Sequence, residues 1–341
     1  MSLCWKCKNG NAEDIVCSGG NVRGNDNHSV AYCLLGYLCA YYRYYNPIEF
    51  ITSFLNNAAN EDDIQSGTAL ARQRGIKIVQ PKYGLSKADY FFDKEANTIS
   101  KGVSSVKYMS EAGANELYEL SRSRQYDFFV DLLKDIDTET SLNARQLEIL
   151  IKIDYFVQFG NQRELFKIVE IFDLFKKGSA KQIRKDAVEG TWLEKIVSEN
   201  SIGKTKKGDE AKSYTIVNMD EILHGAELFI KNSHVNDLSV FMKAKNFNDI
   251  MGYAGYTSGE ESDRNKLFIT GVYPVRRKKD NEVFGYSILT QSIGSGKESR
   301  MTVFKKRYEQ DPIKEGDIII CKRWERDKIY FRMLDYEHLL F

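Results

Sequence analysis

Through roughly the first half of the chain, apolar residues recur every three or four positions, and over the last quarter they alternate with polar ones. The first spacing lines one side of a helix, and the second lines one face of a strand. The densest helical run follows the polar stretch Asn25-Asp26-Asn27-His28-Ser29, with Val30, Leu34, Tyr37, Leu38, Tyr41 and Tyr45 on a common face. Asn27 or Ser29 is placed to cap it and Pro47 to stop it, so the pattern predicts a helix with one face in a core. Helical spacing continues at 51–55, from the polar residues 60–63 through Leu70, and at 111–124, 125–134, 143–156 and 162–176. Leu147, Leu150, Ile151, Leu165, Ile168, Val169 and Phe172 are the expected core of the later helices. Gly75 ends the third helix, and 76–81, 90–92 and 97–99 read as short strands, a small β element inside the helical part.

The period then changes. Residues 267–275, 283–291, 300–304, 317–322 and 328–334 predict five strands, separated by turns at Lys279-Asp280-Asn281, Gly294-Ser295-Gly296, Pro312 to Gly316 and Glu325-Arg326-Asp327. Five antiparallel strands with such turns predict an OB-fold barrel. The expected class is α+β, a mainly helical domain followed by a five-stranded barrel. Expected boundaries are a polar, cysteine-containing segment at 1–27, a helical domain at 28–187, a linker with short helices at 188–262 and the barrel at 263–341. The run Ile202 to Asp209 is the best candidate for a linker or exposed loop.

Composition changes this picture in one place. The 341 residues suffice for two or three domains, and 49 basic against 48 acidic residues leave the whole chain almost neutral. From Lys266 to Gln310, however, ten basic residues face four acidic ones. Within that segment and just after it, Arg276, Arg277, Lys278, Lys279, Lys305 and Lys306 are interleaved with Tyr273, Phe284, Tyr286, Phe304, Tyr308 and Trp324. Cations that neutralise phosphates and flat rings on which bases stack are what a single-strand binder needs. The plainer reading puts half the rings inside the barrel and the lysines on a solvated face.

No apolar run approaches the ~20 residues of a membrane span, and the start lacks a signal pattern, so a cytoplasmic protein with reduced cysteines and no membrane contact is expected. Cys4-x-x-Cys7 and Cys17, with His28 or Cys33, could supply four ligands to a structural zinc that would order the polar start; the alternative is free thiols. Asp135-x-Asp137 mimics a metal-binding pair but follows a helix and lacks a flanking strand. Gly203-Lys204-Thr205 lacks the upstream glycine and preceding strand of a phosphate loop and is rejected.

Several runs, in order, resemble the alpha subunit of DNA polymerase III, the bacterial C-family replicative polymerases. Asn25 to Ser29 followed by the tyrosine-rich helix and Asn46-Pro47-Ile48-Glu49-Phe50 is similar to that family's Asn-Lys-Ser-His-Ser run, Ala-Tyr helix and Tyr-Pro-x-Glu-Phe. Gly75-Ile-Lys-Ile-Val-Gln-Pro81, Ala88-Asp-Tyr-Phe91, Gly102-Val-Ser-Ser-Val-Lys107, Asn143-x-Arg145-x-Leu147-Glu148 and Phe159-Gly160-Asn161-x-Arg163 continue it. Val272 to Lys279 and Val303-Phe304 resemble the OB domain that follows. The resemblance covers roughly residues 25–175 and 265–335.

It implies a fingers-like domain and an OB module that bind DNA, single-stranded or primer-template, with Arg23, His28 and Ser29 near an incoming nucleotide. A zinc ligand role for His28 would compete with that. Gln162-x-x-Leu165-Phe166 also fits the loose sliding-clamp docking pattern, although Leu165 and Phe166 fall on the apolar face of a helix. Three departures qualify the resemblance. Asp26 stands where the family has lysine, and Tyr108 and Ser110 stand where its helix-hairpin-helix has glycines that bring backbone amides to a phosphate. With 24 residues ahead of Asn25, no phosphoesterase-like or palm domain is expected, so the palm aspartates and their magnesium would come only from a partner chain. The expectation is a DNA-binding fragment or split subunit of a replicative nucleotidyltransferase, inactive alone. The alternative is a non-enzymatic single-strand-binding replication factor, or a polymerase competitor, from a phage or mobile element.

Overall fold

The computed structural model describes residues 26–177, 182–204, 210–251, 255–277, 279–327 and 330–339. They fall into two compact units, one within residues 26–81 and 86–103 and the other within residues 82–85 and 104–339.

In the first unit, α1 (Asp26–Tyr45), α2 (Pro47–Asn56) and α3 (Glu61–Gln73) precede a small sheet of β1 (Lys77–Val79), β2 (Phe91–Asp93) and β3 (Thr98–Ser100). β3 is central, parallel to β1 and antiparallel to β2. The core is Ile48, Ile51, Leu55, Ala71, Ile76, Tyr90 and Ile99. Asn60 caps α3, its side chain accepting from the Asp63 N–H. Asn56 fastens α2 to the strand region: its Nδ2 donates to the Tyr90 carbonyl at 2.9 Å and its Oδ1 accepts from the Tyr90 N–H at 2.8 Å. Asn56→Ala strands both partly buried backbone groups, and thermal unfolding should show a loss of about 1–3 kcal/mol.

The tyrosine-rich helix departs from expectation. Val30, Leu34, Tyr37, Tyr41 and Tyr45 are all exposed, as are Tyr32, Leu35, Tyr42 and Tyr44 on its other sides. Apolar residues encircle α1 rather than forming one stripe, and α2, α3 and the sheet close the core without it. The rings of Tyr37, Tyr41 and Tyr45 instead contact one another, Tyr41 and Tyr45 at 4.7 Å. Asn27 and Ser29 lie within the helix rather than at its cap, and Pro47 is the first residue of α2, where its missing N–H costs nothing.

The second unit begins with α4 (Glu111–Ser123), α5 (Phe129–Glu139), α6 (Ala144–Lys152) and α7 (Gln162–Lys177). α5 starts four residues later than its spacing suggests, because the fully buried Glu227 holds its first turn. The N–H groups of Phe129 and Val130 each donate to a Glu227 carboxylate oxygen at 2.9 Å. α6 also ends early: the chain turns at Asp154 (φ 58°), bringing Tyr155, Phe156 and Phe159 into a ring cluster with Tyr83 and Phe129.

The stretch expected as a linker with short helices holds a small sheet beside its helices. β4 (Gln182–Arg184), α8 (Leu193–Glu199), β5 (Ser201–Lys204) and β6 (Glu210–Ile216) form a sheet of order β4-β6-β5 with a helix, followed by α9 (Met219–Asn232) and α10 (Val240–Met251). Ile202, expected in a loop, is in β5, which pairs antiparallel with β6. The strands are too short for alternation to stand out against their lysines.

The barrel is as expected in class: β7 (Lys266–Arg276), β8 (Val283–Ser292), β9 (Glu298–Phe304), β10 (Ile318–Asp327) and β11 (Tyr330–His338) close in the order β10-β11-β9-β8-β7, with α11 (Lys305–Gln310) after the third strand. The β9 to β11 pair is parallel and β10 closes on β7, the strand order of an OB-fold. Ile269, Ile288, Val303, Ile319 and Met333 fill it. Ala244 of α10 packs with Phe268, Ile293 and Ile318 in a second cluster.

Candidate nucleic-acid interface

Alternation along β7, β8 and β9 decides which barrel side chains reach solvent. Tyr273 pairs in register with Ser287, Ser287 with Thr302, and Thr302 with Arg332, a row across the outside of four strands. Tyr273 is exposed and its ring lies over Gly271, where an added Cβ would meet the ring carbon Cε2 at 2.9 Å. Arg300 reaches into the row, its Nε donating to Ser287 Oγ at 2.6 Å. Phe304 is 45% exposed and carries the Arg332 guanidinium 4.7 Å from its ring centre, while Arg332 also binds Glu325 at 2.6 Å. The structure therefore brings Tyr273 and Phe304 onto one outer surface together with Arg300 and Arg332, which the sequence reading did not single out. Their signal was present: Arg300, Thr302 and Phe304 alternate with the buried Met301 and Val303.

Other expected rings point elsewhere. Tyr286 stacks on Tyr308 at 3.7 Å against the barrel core, and the Tyr308 hydroxyl donates to the Ile313 carbonyl. Burial pushes the Tyr308 phenol up from its ordinary value, with Tyr286 and Asp317 adding to it. Phe284 is half-buried. Trp324 is 55% exposed and meets Phe331 edge-on at 5.4 Å, toward the β10 to β11 connection.

The cations divide similarly. Arg276 Nη1 donates to the Asn281 carbonyl at 3.0 Å, closing the β7 to β8 turn, and Arg277 sits 3.9 Å from Asp280. Lys305, at the start of α11, is 3.8 Å from Glu309, an exposed pair worth little in water. Lys279 and Lys306 are exposed without an ion pair among the described residues. Lys278 lies outside the described residues, as do Arg23, Cys4, Cys7 and Cys17; the backbone of His28 and Ser29 is in the first turn of α1, but their side chains are outside the description.

The hairpin before α4 is built from a 3-10 turn at Val103–Ser105 and a tight turn in which the Met109 N–H donates to the Val106 carbonyl at 3.0 Å. Ser110 caps α4, its Oγ accepting from the Gly113 N–H at 3.1 Å. A capping box at Asn143 and Gln146 starts α6, and Gln146 Nε2 donates to the Tyr108 carbonyl at 2.9 Å. The first turn of α6 thus holds the hairpin turn in place.

The two aspartates of the Asp135-x-Asp137 pair serve separate partners. Tyr126 and Arg124 donate to Asp135, and Lys176 binds Asp137. Burial works against ionisation of Asp135, yet the Tyr126 and Arg124 hydrogen bonds and the Arg124 charge hold its carboxyl below the usual carboxylate range. Among the described residues, no group of three or more His, Cys, Asp and Glu side chains is arranged to hold a metal. Gln162 and Leu165 are buried, with Gln162 Nε2 donating to the Lys152 carbonyl and to Asp154, so the clamp-like run is the first turn of a packed helix. No described helix is long and apolar enough to cross a membrane.

Residues 75–166, the hairpin included, match a family described as a helix-hairpin-helix motif. The chain is 27% identical over 191 residues to the DNA polymerase III subunit alpha of Campylobacter jejuni, covering 54% of this chain and 16% of that protein. It is 28% identical over 199 residues to the same subunit of Treponema pallidum, covering 58% and 16%. A DNA-directed DNA polymerase of Bacillus phage SPbeta is 31% identical over 110 residues, covering 32% of this chain and 8% of its own length. The matched stretch is thus about one sixth or less of the relatives. Over somewhat more than half its length the chain is thus similar to the DNA polymerase III alpha subunit, and residues 75–166 match the helix-hairpin-helix motif.

Proposed function

We propose that the chain is a DNA-binding component of a polymerase III alpha-like replication system, holding primer-template or single-stranded DNA through its helix-hairpin-helix segment and its barrel. The observation that carries this reading is the outer barrel surface, where Tyr273 and Phe304 stand beside Arg300 and Arg332 on adjoining strands. Rings and cations side by side suit stacked bases and their phosphates. In this reading the polymerase activity belongs to an assembly whose palm, with its magnesium, is supplied by a partner chain. The exposed apolar surface of α1 supports such a partner. The similarity to a phage polymerase favours a second reading, a phage-borne single-strand binder that competes with a host enzyme.

Fluorescence anisotropy with labelled single strands and primer-templates tests DNA binding. Affinity should fall steeply with salt, and replacing Arg300 and Arg332 together by alanine should weaken it roughly tenfold or more and flatten the salt dependence. Absent or salt-insensitive binding would discard the reading. Co-purification with a palm-bearing chain that restores templated synthesis separates the split enzyme from the competitor, which should instead inhibit an intact polymerase.

A further inference from the structure

We propose that the outer edge of β2, beside α2, is a docking site for an extended, basic segment of a partner protein, which adds to the sheet as a further strand. The site lies within the first unit and does not depend on DNA binding.

Two sets of bonds fix which way the backbone of β2 faces. The Asn97 carbonyl accepts from the Lys77 N–H and the Lys101 N–H donates to the Val79 carbonyl, so residues 97, 99 and 101 are turned to β1. Thr98 and Ser100 therefore face β2, where their register partners are Asp93 and Phe91. Phe92, opposite Ile99, turns its N–H and C=O the other way, to the outer edge. Tyr90 follows the same alternation, since both its backbone groups go to the Asn56 side chain. The Asn56 carboxamide thus stands where one peptide unit of a neighbouring strand would be. The next such place, at Phe92, has no partner among the described residues. An open cleft of about 510 Å³ runs beside it, with Glu49, Ser53, Asn56, Asn57, Lys87 and Phe92 in its lining.

The chemistry of the cleft selects the occupant. A residue laid against Phe92 supplies an N–H and a C=O in register, the source of affinity in strand addition. Glu49 Oε1 accepts from Lys94 Nζ at 2.7 Å, but Lys94 is largely in water, and Glu49 Oε2 is buried without a donor among the described residues. A lysine or arginine entering the cleft fills that deficit. Residues 87–95 and Glu49 together carry four carboxylates against two lysines, a balance that repels a phosphate backbone and favours a basic peptide. Phe92 is 40% exposed and offers its ring to apolar side chains alternating with the basic ones.

The test uses the full chain and a blocked hexapeptide of alternating lysine and valine, with calorimetry for affinity and amide hydrogen exchange read at Phe92. The peptide should bind and slow exchange of the Phe92 N–H in step with occupancy. N-methylating its backbone, or replacing its lysines by glutamate, should weaken it roughly tenfold or more. Phe92→Pro removes the outward N–H without taking a ladder bond, and Glu49→Lys reverses the charge in the cleft; each should weaken the peptide roughly tenfold. Should Phe92→Pro unfold the unit, the N-methylated peptide on the wild-type chain still decides. Absence of peptide binding, binding that leaves Phe92 exchange unchanged, or equal binding of the N-methylated peptide overturns the proposal. Protection of Phe92 by a DNA single strand in place of the peptide overturns it as well.

Discussion

Replacing Gly102 with alanine is expected to unfold the first unit. An added Cβ would lie 2.1 Å from the Ala88 carbonyl oxygen, 2.5 Å from the Asp89 carbonyl carbon and 2.7 Å from the Asp89 Cα. All three are backbone atoms, so no rotamer change relieves the clash. The two segments are also tied on either side of the glycine, where the Val103 N–H donates to the Lys87 carbonyl at 2.9 Å and the Lys101 N–H to Val79 at 3.0 Å. Separating them breaks those bonds and opens the core around Ile99 and Tyr90. The cost should reach about 4 kcal/mol, beyond ordinary overpacking. Gly36 in α1 is the control: nothing lies within 4 Å of its added Cβ, so Gly36→Ala should be neutral or stabilise by up to about 1 kcal/mol. Denaturant unfolding of the two variants checks both statements, and a wild-type midpoint for Gly102→Ala would refute the first.

Removing the Glu227 carboxylate should have the largest effect in the second unit. This side chain accepts from the Phe129 and Val130 N–H groups and from Lys231 Nζ at 2.7 Å, with no solvent exposure. It closes the start of α5 from α9, almost a hundred residues away in sequence. Glu227→Ala leaves two buried amide donors without acceptors and should cost about 3–5 kcal/mol. Glu227→Gln keeps one acceptor oxygen and should cost less. Lys231→Ala should cost less again, since its side chain is partly exposed and its carboxylate partner keeps both amides. If calorimetry ranks Lys231→Ala above Glu227→Ala, the carboxylate is not what holds α5.

Both predictions concern residues whose importance only partly showed in the sequence. Gly102 stood in a run resembling the polymerase family, but its reason is a backbone crossing between segments more than ten residues apart. Glu227 sits in a helix with helical spacing, and nothing in its neighbourhood distinguishes it from a solvated acid. The barrel was far more legible. Its strands are long enough for alternation to register, and Pro312 to Gly316 and Lys279 to Asn281 mark turns whatever surrounds them. The start of α6 was expected at Asn143 from helical spacing, and the capping box found there joins residues three apart in the chain.

The candidate surface was legible in composition but not in geometry. Tyr273 and Tyr286 are alike as residues. One faces solvent over Gly271 and the other stacks on Tyr308 against the core, because the pleat and register of β7 and β8 decide their faces. α1 misled for a related reason: threefold and fourfold spacing is satisfied by a helix that is apolar all round, and only the packing of α2, α3 and the sheet shows that no core was left for it.

What the sequence determined by itself is therefore what short-range physics controls: helix and strand periods, turns, and the clustering of positive charge between Lys266 and Gln310. What only the tertiary structure decided is what depends on distant partners: which rings and cations of the barrel share a face, that Glu227 closes α5, and that Arg145 lies on Tyr108. Those relations join residues tens of positions apart, and no local spacing encodes them.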